Sequence, residues 1–302
     1  PGDRGFLGFE QDRGIRCPFY KRRKNPYSDP EGSFLMNINL RDAVIKEEQK
    51  GFDHKHAESL VAQEVILRSI AHSRLKDSIT LKGGVVMFNK TSSLRRATID
   101  MDIDVIRYSI EPKSIDAFIN ALNFDSKGLR ISRLGEIEKL KQEDYQGCRI
   151  RLSIEDKARY KLTLKMDVGV HTLFGINQEN DSYFIGVTEE NIVLLTNPSE
   201  QIFGEKVLSL VRHGIASTRY KDIADMYFLI SNDLLTKEKV KRFFSFVLPV
   251  NHAKNIEDIY LRLSETFHDE TFSPLASSAS SNWTGMDYQV MTETILDFLG
   301  KL

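Results

Sequence analysis

Residues 81 to 106 read "LKGGVVMFNKTSSLRRATIDMDIDVI". In the last third of this stretch Asp100, Asp102 and Asp104 alternate with Met101, Ile103 and Val105. Alternation with period two is the signature of a strand with one apolar and one polar face. Ile99, Met101, Ile103 and Val105 share the first face and the three aspartates the second, where neighbouring side chains stand roughly 6 to 7 Å apart. Aspartate is a poor strand former and the like charges repel, so the acidic face needs something positive opposite it.

Upstream, "SITLKGG" reads as a short strand ending in a turn, "VVMFNK" as a short helix, and "TSSLRRA" as an exposed loop leading into the acidic strand. A glycine pair at a strand-to-helix turn lets backbone amides come close to an anion, and the helix that follows adds its N-terminal dipole. Gly83 and Gly84 are therefore placed for phosphate. A phosphate cradle and paired carboxylates within one supersecondary unit call for a hard divalent cation between them, because carboxylates hold such cations and the cations hold phosphate oxygens.

Working outward, residues 57 to 75 place Ala57, Leu60, Val61, Val65, Ile66 and Ile70 at helical spacing, a core-facing amphipathic helix. A helix is expected near 113 to 122, with strands around 129 to 138, 147 to 155 and 160 to 170. Within the last, Leu162, Leu164, Met166 and Val168 oppose Lys165 and Asp167. After Pro198 helical periods dominate, at roughly 198 to 213, 218 to 231, 236 to 247, 255 to 267 and 286 to 300. "SPLASSASSNW" at 273 to 283 reads as a Ser-rich loop.

The expected fold class is α+β: a mixed sheet with flanking helices over 35–196, followed by helices over 197–302, with 1–34 as a flexible arm that carries "YKRRKNP" at 20 to 26.

Composition narrows the function classes. The 42 basic and 43 acidic residues leave a formal net charge of -1, so any polyanion-binding surface must be local. Cys17 and Cys148, the only cysteines, form no zinc-ligand spacing and suit a reducing cytoplasm. No apolar stretch approaches the roughly 20 residues that span a bilayer, so no membrane partner is expected. His171, His213 and His252 share no metal-ligand spacing, and there is no Walker lysine motif, GxSxG or GxGxxG.

The segments "LKGGVVMF" and "RRATIDMDID" together resemble the first motif of the nucleotidyltransferase superfamily, in the form found in the AbiEii/AbiGii toxin family. "NPSEQIFGEKVLSLVRHGIASTRYKDIADMYFLI", residues 197 to 230, resembles that family's downstream block of E-K on one helix and R-x-K-D-x-x-D on the next. The resemblance implies that Asp100 and Asp102 bind metal, with Arg96 and Thr98 as flanking motif positions. Asp104 falls outside the motif; on the same face, it is expected as a solvated acid at the strand end, with support of the metal cluster as the alternative. Asp167 would be the third metal-binding carboxylate. Lys206 would meet the nucleotide's phosphates, and Asp222 would be an active-site acid with Arg219, Lys221 and Asp225 around it.

The catalytic set implied is Asp100, Asp102, Asp167, Lys206 and Asp222, and the nucleotide set is Gly83, Gly84, Arg96, Thr98, Lys206 and Arg219. The implied reaction moves a nucleoside monophosphate from an NTP to an acceptor with two magnesium ions, tRNA being the first acceptor and a protein side chain the second. The implied setting is a toxin with a cognate antitoxin. The rivals are an inactive module of the same fold that binds NTP or a partner protein, and a transferase that modifies a small molecule.

Overall fold

The computed structural model describes residues 37–140, 147–173, 175–248, 253–278 and 282–302. The expected N-terminal arm, its basic cluster, Cys17 and His252 lie outside them.

Every strand anticipated from alternation is present. β1 (Ile79–Lys82), β2 (Met101–Val105), β3 (Arg130–Lys139), β4 (Gly147–Glu155) and β5 (Lys161–Val170) are joined by a hairpin, β6 (Glu179–Ile185) and β7 (Glu190–Thr196). The seven form one sheet in the order β3-β4-β5-β2-β1-β7-β6. β2 runs parallel to β5 and β1 parallel to β7, while the other neighbours are antiparallel, so the sheet is mixed. Met101 and Ile103 of β2, and Leu162, Leu164, Met166 and Val168 of β5, are buried as the apolar face of the pattern required.

Of the helices, α1 (Leu40–Gln49), α2 (His54–Ala71), α3 (Gly83–Thr91) and α4 (Pro112–Leu122) flank the sheet. α5 (Ser199–His213), α6 (Tyr220–Ser231), α7 (Lys237–Val247), α8 (Ile256–His268), α9 (Phe272–Ser278) and α10 (Tyr288–Gly300) follow it. α5 packs on α6, α7 and α8, and α10 on α6 and α8. One continuous apolar core runs through sheet and helices, and Leu35–Leu302 form one compact unit. At the junction expected near 196, the Asn197 N–H donates to the Leu81 carbonyl at 2.9 Å and ties the start of the helical half to β1. Among the described residues no helix is long and apolar enough to cross a membrane.

Three local expectations need correction. The 273–283 stretch is not simply a loop, because α9 occupies Phe272–Ser278, with Phe272 and Ala276 buried, and Trp283 is itself buried. The segment before β2 is not simply exposed: a 3-10 turn at Leu94–Arg96 turns Arg96 inward to 3% exposure. Asp104 is not a solvated strand end. It is 4% exposed and paired at 2.7 Å with Lys82 of the adjacent strand β1.

α2 also does more than present an apolar stripe, since its polar residues Gln63, Glu64 and Arg68 are buried too. A helix buried all round must satisfy such groups internally. Arg68 bonds Glu190 at 2.6 Å and Asp125 at 2.9 Å, and Glu64 Oε2 accepts the Val187 N–H at 2.9 Å in the β6–β7 turn. Burial and the facing Glu47 carboxylate, itself bound to Lys50, push the Glu64 carboxyl up to about 7.

A carboxyl raised in the fold favours the protonated native state, and that contribution is lost as pH climbs from the unfolded value through about 7. Glu64→Gln keeps an oxygen for Val187 and removes the loss. Urea denaturation should find the variant more stable than the parent at pH 8, by on the order of 2 kcal/mol, with the advantage gone near pH 4.5. An advantage that does not depend on pH would contradict this assignment.

Candidate active site

Parallel pairing of β2 with β5 sets Asp102 directly beside Asp167. Asp100 stands two residues before Asp102 on the same face. Lys82 ends β1 opposite Asp102, and α3 begins at the next residue, so its N-terminus adjoins the acids. Gly83 sits at φ +63°, in the left-handed region, and a Cβ built on it would run into Asp102 Oδ2. A Cβ on Gly84 would lie 2.6 Å from Thr98 Oγ1. The glycine pair is thus required by close packing of the turn on the acidic strand, and any side chain at 83 would displace the Asp102 carboxylate. Gln63 of α2 completes the support, donating to the Thr98 carbonyl at 2.8 Å.

The positive charge that the acidic face demands is supplied from three strands. Lys165 of β5 pairs with Asp100 at 2.7 Å, and Arg149 of β4 grips Asp167 through two bonds of 2.8 and 2.9 Å. Lys82 of β1 answers Asp104. Burial works against charge on Lys82, and Asp104 and Glu205 outweigh it, so its ammonium is held above the usual range. Asp102 is the acid these partners serve least. Burial, then Asp167 and Asp100 acting against Lys82, hold its carboxyl above the usual range.

Among the described residues no three His, Cys, Asp or Glu side chains converge as a ready metal-binding group, because Asp100 and Asp167 are turned to Lys165 and Arg149. The donor chemistry nevertheless fits a hard divalent cation. The donors are carboxylate oxygens alone, with no thiol or imidazole among them, and Asp102 sits directly beside Asp167 across the β2–β5 pairing.

A second cluster lies on α5 and α6. Lys206 Nζ sits between Asp222, in very close contact, and Asp225 at 2.8 Å. Asp225 is fully buried and also takes both arms of the Arg96 guanidinium, at 2.5 and 2.6 Å. Burial opposes charge on Asp225, but Lys206 and Arg96 beside it hold its carboxyl below the usual range. Burial likewise opposes charge on Lys206, and Asp222 and Asp225 keep its ammonium above the usual range. Lys221 donates to the Ala97 carbonyl at 3.0 Å, and burial and Arg96 bring it down to about 8.

The segment 95–98 therefore belongs to both clusters. Its C-terminal end feeds the acidic strand, while Arg96 and Ala97 bind α6.

Of the residues singled out in sequence, Asp100, Asp102, Asp167, Gly83, Gly84 and Thr98 meet around β2, and Lys206, Asp222 and Arg96 meet around Asp225. Arg219, at the N-cap of α6, is exposed, and its carbonyl accepts the Asp222 N–H at 2.9 Å. Arg96 faces Asp225 and not the acidic strand. His171 is buried after β5, and His213 bonds the Ser209 carbonyl through Nδ1 at the end of α5.

Sequence reasoning missed Arg149, Lys165 and Lys82 as counter-charges, Gln63 as a support, and the central place of Asp225 with its third partner, Trp283, whose Nε1 donates to Oδ1 at 2.9 Å. Of these, Lys82 stood in the LKGG segment, Lys165 on the face of Asp167 and Asp225 in the downstream block, but the sequence did not show which partner each would meet.

A family described as "Nucleotidyl transferase AbiEii toxin, Type IV TA system" matches over residues 65–296. The chain belongs to the AbiEii family. The match runs from α2 into α10 and so takes in both clusters of this AbiEii chain. Among solved structures, a crystal structure of an antigenic nucleotidyltransferase-like protein from Paracoccidioides brasiliensis is similar at 16% identity and a TM-score of 0.37, over 70% of this chain and 97% of that one. No curated protein matches the chain.

Proposed function

We propose that this AbiEii-family chain is a metal-dependent nucleotidyltransferase that moves a nucleoside monophosphate from an NTP to an acceptor, tRNA first, and acts in the cytoplasm as a growth-arresting toxin countered by a cognate antitoxin. The observation that carries this reading is the register of β2 on β5, which sets Asp102 beside Asp167 at the N-terminus of α3.

Asp100, Asp102 and Asp167 would hold magnesium, two ions in the fullest version, which supplies Lewis-acid polarisation at the α-phosphate. The chain's own groups do the rest. The backbone at Gly83 and Gly84 admits a phosphate close to the start of α3, and Lys206, with two of its three ammonium protons on Asp222 and Asp225, turns the third to the phosphate tail. Asp222 and Asp225 keep that lysine charged and aimed. As the acceptor oxygen bonds the α-phosphorus, the bond from phosphorus to the bridging oxygen breaks and pyrophosphate leaves. Arg95, Arg212, Arg219 and Lys221 supply local positive charge for an RNA backbone on a chain of net charge -1.

The test is incubation with α-phosphate-labelled NTPs and total RNA, with magnesium or with EDTA. Magnesium-dependent label in RNA supports the proposal. Label in a small molecule favours the rival transferase, and NTP binding with no transfer favours the inactive module.

A further inference from the structure

The carboxylate of Asp225 receives four donors. Oδ1 takes Arg96 Nε at 2.5 Å and Trp283 Nε1 at 2.9 Å, while Oδ2 takes Arg96 Nη2 at 2.6 Å and Lys206 Nζ at 2.8 Å. Three of the donors belong to cations, and the indole is the neutral one. It fills a lone pair without adding charge and so fixes the rotation of the carboxylate, leaving Oδ2 turned to Lys206.

The indole is itself held firmly. It is 7% exposed and packs on Phe228 with ring centroids 5.3 Å apart. It rides on a turn stapled by Asn282, whose side chain accepts from Thr284 Oγ1 at 2.8 Å and donates to the Met286 carbonyl at 2.8 Å. Arg95, neighbour to Arg96, donates to the Asn282 carbonyl at 3.0 Å, and Asp287 then caps α10. The turn is thus bound on both sides to the groups that surround Lys206.

We infer that Trp283 is a positioning residue for the nucleotide site: through Asp225 it fixes where Lys206 stands, and so couples the turn before α10 to recognition of the triphosphate. This rests on the proposed role of Lys206.

Trp283→Phe keeps the ring on Phe228 and deletes only the N–H. Retention of labelled ATP and GTP on filters is measured for the parent, Trp283→Phe, Lys206→Ala and the double variant. The expected result is a Kd about 5- to 10-fold higher for Trp283→Phe, a melting temperature within about 2 to 4 °C of the parent, and no further loss when the change is made on Lys206→Ala. A merely structural tryptophan would weaken binding equally in both backgrounds, and that outcome overturns the inference.

A second measurement needs no variant. The single indole should change its emission when NTP phosphate binds Lys206 beside Asp225, and unchanged emission with nucleotide bound overturns the inference as well. If the parent binds neither nucleotide, the functional reading falls and the inference with it. If the parent binds and Trp283→Phe binds equally well, only the inference falls.

Discussion

Asp225→Ala lowers the stability of the fold by about 3 to 5 kcal/mol, the range for breaking a buried ion pair by removing one partner. The carboxylate is fully buried and balances Arg96, 3% exposed, and Lys206, 9% exposed. Without it two cations remain in a dry site with only Asp222 near, and the Trp283 N–H loses its acceptor. Denaturant unfolding at pH 7 reads the loss directly. The pH dependence follows from the depressed Asp225 carboxyl: its contribution is full above the unfolded value and fades as pH falls through the lower folded one. Parent and variant should therefore draw together in acid. A loss under about 1 kcal/mol, the range of exposed pairs, would mean that Arg96 and Lys206 find other partners and that the cluster is not organised by Asp225.

Asp102→Asn is the second large effect, and it separates chemistry from stability. On the proposed function, transfer should fall by at least about 10²-fold, the scale of losing one preorganised electrostatic contact in a site, and the proposed growth arrest on expression should disappear with it. Stability should not fall. Because burial, Asp167 and Asp100 raise the Asp102 carboxyl, its ionised form is a burden on the fold at neutral pH, present once pH exceeds the unfolded value. Asn lifts that burden, so melts in EDTA should match or exceed those of the parent. A clear drop in melting temperature would make Asp102 a structural acid. Growth arrest that persists in a folded Asp102→Asn chain would remove nucleotidyl transfer as its cause.

Much of the fold was legible because period is local. Alternation placed β2, β4 and β5, and helical spacing placed α5 to α8 and α10, since each pattern records which face meets the core. Composition misled where it stood in for period: serines at 273–283 suggested a loop, yet Phe272 and Ala276 are buried along α9.

The site was legible as residue types and illegible as partnerships. Alternation tells which face Asp167 occupies, but its bond to Arg149 depends on the register of β4 on β5, which no short window contains. Asp104 shows the same limit. Its burial follows from Lys82 on an adjacent strand, a pairing set by how β1 lies against β2. The downstream motif could be located while its wiring could not, because the side chain that meets Asp225 from the first motif is Arg96, held in a turn that had read as exposed.

The bond between Arg96 and Asp225 joins positions 129 apart in the chain. On a ribosome, β1, α3 and the three aspartates are synthesised well before α6, and the turn bearing Trp283 follows later still. A nascent chain that has already exposed the acidic strand has neither Lys206 nor Asp225 to set beside it, and Arg96 has nothing to grip. The two halves of the site cannot meet until α6 has been translated, and the neutral donor on Asp225 arrives later still, with the turn before α10.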